Sequence, residues 1–217
     1  MEDKLREMLK LYFIMGSNNC RKDPETVLKE AIKGGITLFQ FREKGQGSLG
    51  GCEKKQLAVN LQRICKEAGI PFIVNDDIEL ALEVDADGVH IGQSDMSAGE
   101  ARCLVGSKIL GVSVHTLKEA EQAREMGADY FGVGPVFHTT TKEDALPASG
   151  VSFIRELRKN GYSIPIVGIG GITAENAGDV MSSGVDGVSV ISFISNAESP
   201  KKAAMGLKEN IMHKQNG

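Results

Sequence analysis

Five short runs bring amides, cations, carboxylates and hydroxyls together at spacings that suit phosphate chemistry. The longest is Gly134-Pro135-Val136-Phe137-His138-Thr139-Thr140-Thr141-Lys142. A turn-prone pair follows an apolar stretch, and three hydroxyls and one ammonium come without interruption. Such a loop offers donors and a fixed positive charge to a phosphate ester. A second run is Gln40-Phe41-Arg42-Glu43-Lys44. Alternate residues of a strand share a face, so Gln40, Arg42 and Lys44 point one way, and Phe41 and Glu43 the other. Asn75-Asp76 and Gln93-Ser94-Asp95 carry carboxylates. Neighbouring parallel strands lie ~4.8 Å apart, which would let Asp76 and Asp95 approach each other. Two close carboxylates repel unless a cation sits between them. Magnesium, with its other ligands from water and diphosphate oxygens, meets that need.

The fifth run is Gly168-Ile169-Gly170-Gly171-Ile172, and Ile191-Ser192 follows further on. Glycines let backbone amides approach a phosphate, and the next helix offers its N-terminus. Ser113 ends a strand and serves either as a ligand or as a cap for the helix that follows. No Gly-x-Ser-x-Gly elbow surrounds it, which excludes a serine hydrolase of that type. His90 reads as a packed, hydrogen-bonded group. The set therefore has two anion-binding halves and no nucleophile–base dyad. It suits two phosphorylated small molecules, one of them a diphosphate, handled by positioning and charge stabilisation.

These residues fall where strands should end. Strands are expected at Leu11–Met15, Leu38–Arg42, Phe72–Val74, Gly88–Ile91, Ile109–Val112, Tyr130–Val133, Ile166–Gly168 and Val188–Ile191. Between them the pattern gives helices at Pro24–Lys33, Lys54–Ala68, Ile78–Glu83, Ala98–Leu104, Leu117–Met126, Val151–Asn160, Asn176–Ser183 and Pro200–Met212. Asp23-Pro24 should cap the first of them. An echo recurs: Asp87-Gly88, Asp129-Tyr130 and Asp186-Gly187 each open a strand, and Ile70-Pro71 and Ile164-Pro165 introduce two more. Eight βα units imply a parallel sheet closed into a (β/α)8 TIM barrel, an α/β fold in a single domain over 1–217. An open doubly wound sheet is the rival. Gly45–Gly51 holds four glycines in seven residues and is a candidate lid.

Bulk properties narrow the partners. The 217 residues carry a net charge of −4 without a long basic run, which disfavours nucleic acid. No apolar run reaches the ~20 residues of a membrane span. The charged start, Met1 to Lys10, lacks a signal-peptide cleavage pattern. Cys20, Cys52, Cys65 and Cys103 form no C-x-x-C pair or zinc spacing, as expected for reduced thiols in the cytoplasm. Self-association as a homo-oligomer is left open.

The chain resembles the thiamine-phosphate synthase family from about Leu11 to Pro200. The resemblance rests on Gln40-Phe41-Arg42-Glu43-Lys44, Asn75-Asp76, His90-Ile91-Gly92-Gln93-Ser94-Asp95, Gly111-Val112-Ser113, Gly134-Pro135-Val136-Phe137 with Thr139-x-Thr141-Lys142, and Gly168-Ile169-Gly170-Gly171-Ile172. It implies a transferase that joins 4-amino-2-methyl-5-hydroxymethylpyrimidine diphosphate to hydroxyethylthiazole phosphate, through a pyrimidine methylene cation. Gln40, Arg42, Lys44, Asn75, Ser113 and Lys142 would bind the pyrimidine diphosphate, with Arg42, Lys44, Ser113 and Lys142 as the catalytic set. Asp76 and Asp95 would hold Mg2+. Thr139, Thr140, Thr141, Gly171, Ile191 and Ser192 would hold the thiazole phosphate. His138 and Ser94 depart from the commoner family pattern, where proline and an acid are frequent. The alternatives are a thiazole tautomerase-like or regulatory barrel that binds a thiamine precursor, and a different phosphate-binding barrel such as an epimerase or a Schiff-base aldolase using Lys44.

Overall fold

Strand parity decides what faces where. In the computed structural model, which describes residues 2–139, 141, 148 and 150–215 (backbone alone over 213–215), eight short strands pair in parallel. They are β1 (Leu11–Met15), β2 (Leu38–Phe41), β3 (Phe72–Asn75), β4 (Gly88–Ile91), β5 (Ile109–Ser113), β6 (Tyr130–Val133), β7 (Ile166–Ile169) and β8 (Gly187–Val190). β8 returns to β1, with Leu11 opposite Val188, and the barrel is closed. The open doubly wound alternative is thereby excluded.

Leu11, Phe13 and Met15 of β1 join Phe39 and Phe41 of β2 in the large core outside the barrel. Tyr12, Ile14, Leu38, Ile73, Tyr130 and Val167 form a separate cluster inside it. The strands are buried on both faces, which is why they read as apolar runs rather than as alternating ones.

The helices around the barrel are α1 (Glu2–Leu9), α2 (Pro24–Gly34), α3 (Gly51–Ala68), α4 (Ile78–Glu83) and α5 (Ala98–Val105). After them come α6 (Leu117–Glu125), α7 (Ser152–Lys159), α8 (Ala174–Met181), α9 (Ser192–Ser195) and α10 (Pro200–Gln215). Asp23 caps α2 as expected, accepting the Thr26 N–H at 2.9 Å ahead of Pro24. The helix α1 was not expected, because its first residues are charged. It forms because Leu9 and Leu5 pack onto the inner cluster while Arg6 pairs with Asp186 and reaches the Ser163 carbonyl. Burial of Cys20 pushes its thiol up to about 12, and burial of Cys65 pushes that thiol up as well. Neither is poised for reaction.

The sequence echo has a structural cause at the strand starts. The carboxylates of Asp87, Asp129 and Asp186 each accept an N–H near the start of the strand before, from Phe72, Leu110 and Ile166, all at 2.8 Å. The carbonyls of Pro71 and Pro165 take the N–H groups of Phe39 and Phe131 at 3.2 and 2.9 Å. Two arginines brace this layer. Arg102 holds Asp129 at 2.6 Å, and Arg158 holds Asp186 at 2.8 Å. Arg158 also donates to the carbonyls of Gly184, Tyr162 and Ile164.

Replacing Arg158 by alanine removes four bonds at once. We expect a loss of about 2–3 kcal/mol in urea unfolding, with the activity of the folded fraction unchanged. An unaltered midpoint would rule out the bracing role.

Candidate active site

The C-terminal ends of the strands open onto a cavity of about 550 Å³, within the ~300–1,000 Å³ of small-molecule sites. Arg42 and Lys44 after β2, Asn75 of β3 and Asp76 just beyond it line one side. Asp95 and Ser113 come from the next two strand ends. Across from them stand Thr139, Thr141, Gly171, Ile191 and Ser192. The expected site residues therefore converge, with three exceptions. Gln40 lies inside the barrel at 1% exposure and donates to the Tyr12 hydroxyl at 2.7 Å. Thr140 and Lys142 fall outside the described residues.

Charge organises the first half. The Lys44 ammonium sits 2.6 Å from Asp76 Oδ2 and 3.8 Å from Asp95 Oδ1, so one cation faces both carboxylates. Asp76 has a φ of 61°, a left-handed conformation uncommon outside glycine. Its N–H donates to the His90 carbonyl at 2.9 Å, which holds the residue in that conformation. Unusual backbone of this kind gathers at functional sites. The neighbouring Asp77 is already engaged. It accepts the Leu80 N–H to start α4 and pairs with Lys54 at 2.7 Å. Asp95 Oδ2 accepts the Gly92 N–H at 2.8 Å, which tightens the loop after β4.

Burial pushes the Asp76 carboxyl above the usual carboxylate range; Lys44 opposes the shift and Asp95 adds to it. A carboxylate pair in that state has a use for a further cation. Two acidic ligands, with the rest of the sphere left to water and substrate oxygens, match what magnesium takes. Among the described residues no group of three or more His, Cys, Asp or Glu side chains could hold a metal.

Hydroxyls and backbone make the second half. Thr141 Oγ1 and Ser192 Oγ lie 3.0 Å apart, and Thr139 Oγ1 stands 3.3 Å from Thr141 Oγ1. Gly171 has a φ of 62°, and a Cβ there would lie 2.6 Å from the His138 carbonyl oxygen, so the loops after β6 and β7 meet on this glycine. Asn176 at the start of α8 donates to the Gly171 carbonyl at 3.0 Å and fixes the turn. β8 runs directly into the short α9 at Ser192. Barrel enzymes often hold a phosphate on the loops after strands seven and eight, beside a short extra helix.

Similarity to known proteins agrees with this geometry. The family described as Thiamine monophosphate synthase matches residues 11–194. The chain belongs to this family. A thiamine-phosphate synthase of Geobacillus kaustophilus is 57% identical over 208 residues, which cover 96% of this chain and 94% of that protein. One from Bacillus velezensis is 55% identical, with 99% and 96% covered. A solved thiamine phosphate pyrophosphorylase from Pyrococcus furiosus superposes with a TM-score of 0.86 at 36% identity, covering 97% of this chain and 98% of that one. The activity that goes with membership is thiamine-phosphate synthesis, a transferase reaction.

Family membership leaves several local devices to be explained by the structure. Ser113 does not cap the helix after β5; Thr116 does, accepting the Glu119 N–H at 3.2 Å. Ser113 is therefore free of that duty and lines the cavity. Tyr12, Tyr130 and Glu43 were not singled out from the sequence as working residues. Parity held a signal for the tyrosines, since Tyr12 shares the inward face with Ile14, and a buried hydroxyl must find a partner.

Glu43 points away from the cavity. It accepts the Ser17 N–H at 2.8 Å, the Ser17 hydroxyl at 2.5 Å and the Leu49 N–H at 2.7 Å. Asn18 donates to the carbonyls of Lys44 and Gln46. The glycine-rich segment Gly45–Gly51 is thus strapped to the turn after β1. Glu43→Ala should free that strap, speed proteolysis within the segment several-fold and raise KM for the diphosphate substrate. In the unmodified protein, protease sensitivity that is equal with and without both substrates would dispose of a lid role.

Proposed function

We propose that this barrel joins 4-amino-2-methyl-5-hydroxymethylpyrimidine diphosphate to hydroxyethylthiazole phosphate by a dissociative route, with magnesium held by Asp76 and Asp95. The observation that carries the reading is the convergence of both carboxylates on Lys44, across one cavity from the Thr141–Ser192 hydroxyl pair. Gln40, Arg42, Lys44, Asn75, Ser113 and Lys142 form the pyrimidine diphosphate side; Arg42, Lys44, Ser113 and Lys142 act on the leaving group. Thr139, Thr140, Thr141, Gly171, Ile191 and Ser192 receive the thiazole phosphate.

Magnesium, when bound, supplies charge that makes diphosphate a better leaving group. The side chains do the rest. Arg42 is only 8% exposed, so its charge acts in a poorly screened environment. Lys44 and Arg42 stabilise negative charge as it builds on the departing diphosphate. The C–O bond breaks first, its electron pair leaves with diphosphate, and the thiazole nitrogen then supplies the pair for the new C–N bond. No general base is required, in keeping with a cavity whose hydroxyls and cations outnumber its proton acceptors. Holding the second reactant by its phosphate on the opposite wall converts capture into a positioned, effectively intramolecular step.

An ammonium paired at 2.6 Å with a carboxylate is a poor Schiff-base nucleophile, which disfavours the aldolase reading. A tautomerase-like or regulatory barrel would need less of this charged apparatus. No helix among the described residues is long and apolar enough to cross a membrane, and free phosphorylated substrates suit a cytoplasmic location. The test is direct: purified protein, Mg2+ and both phosphorylated precursors should yield thiamine phosphate and diphosphate. Absence of product under those conditions would refute the reading.

A further inference from the structure

A chain of hydrogen bonds runs through the barrel beneath the cavity. Gln40 Nε2 donates to the Tyr12 hydroxyl at 2.7 Å, and Tyr12 meets the Tyr130 hydroxyl at 2.9 Å. Tyr130 meets His90 Nδ1 at 3.0 Å, and His90 Nε2 meets Ser113 Oγ at 2.9 Å. The inside of a barrel is normally filled by branched aliphatic side chains. Here two glycines make room instead. A Cβ on Gly111 would lie 2.1 Å from the Tyr130 ring and 2.5 Å from His90 Nδ1, and one on Gly132 would lie 2.9 Å from His90 Cε1.

We infer that this chain is one-directional and sets Ser113 as a hydrogen-bond donor toward the substrate, with His90 and Tyr130 as positioning residues. The direction follows from a count of protons. Tyr12 is fully buried and receives an N–H from Gln40, so its own proton goes to Tyr130. Tyr130, also fully buried, must then give its proton to His90 Nδ1. A neutral imidazole that accepts at Nδ1 carries its hydrogen on Nε2, and that hydrogen goes to Ser113 Oγ. One of the two serine lone pairs is thereby occupied, and the serine proton is left for the cavity that it lines. A serine set this way favours an acceptor, such as a ring nitrogen or an ester oxygen of the pyrimidine diphosphate, over its amino group. The substrate named here rests on the function proposed above; the direction of the chain does not.

The test is nitrogen NMR of 15N-histidine-labelled protein without substrate. His90 should show the Nε2–H tautomer. Tyr12→Phe should leave that tautomer in place, because Tyr130 can still donate. Tyr130→Phe should abolish the preference and lower kcat roughly tenfold, the effect of one misdirected hydrogen bond, with KM for the thiazole phosphate unchanged. An Nδ1–H tautomer in the unmodified protein would overturn the inference whether or not the variants fold. So would a folded Tyr130→Phe protein with full kcat. An Nε2–H tautomer in a protein that forms no thiamine phosphate would leave the chain standing and remove the proposed substrate.

Discussion

Asp95→Ala should abolish thiamine phosphate formation, by at least ~10²–10³-fold, and remove any dependence on divalent metal. The magnitude follows from what the carboxylate faces. Among the described residues Asp76 and Asp95 are the acidic groups within 4 Å of the Lys44 ammonium, so the proposed cation site loses one of its two carboxylates. The fold should survive. Asp95 contributes one local bond, accepting the Gly92 N–H, and orphaning that group costs about 1–2 kcal/mol. Asp95→Asn can restore the local bond without restoring the charge, and should be as inactive as the alanine variant. Circular dichroism checks the fold, and activity measured with and without chelator checks the metal. Full turnover by the alanine variant in chelator would end the magnesium assignment.

Lys44→Met should separate metal binding from catalysis. The Lys44 ammonium now faces both carboxylates and offsets their repulsion. Without it, two acidic groups are left to share whatever cation is present. The variant should therefore bind Mg2+ or Mn2+ alone at least as tightly as the unmodified protein. Turnover should nevertheless fall by ~10²–10³-fold, because the proposed mechanism uses this cation to stabilise the departing diphosphate. Calorimetric titration with the metal alone, set beside steady-state rates, reads both effects. Much weaker metal binding would mean that Lys44 positions the carboxylates rather than competing for them.

Most of the architecture was legible along the chain. Continuous apolar runs, with helical patterns between them, implied parallel strands covered on both faces, and all eight occur within about a residue of the expected positions. The reason is physical: a doubly covered strand has no polar face to blur its signal. α1 escaped because its amphipathic stripe is short and mostly charged; only the open end of a barrel makes Leu5 and Leu9 worth burying. The opposite faces of Gln40 and Glu43 were also legible, since strand parity alone decides them. What each side chain meets on its face was not.

Residue types and spacing, by themselves, determined the closed barrel and the rim on which the polar residues gather. The tertiary structure decided how those groups are shared out. It set Lys44 between Asp76 and Asp95, paired Asp77 with Lys54, and tied Glu43 to Ser17 as a strap. It also drew Gln40 down into a buried chain with Tyr12, Tyr130 and His90. Such assignments depend on distances between strands far apart in sequence, which periodicity along one segment cannot encode.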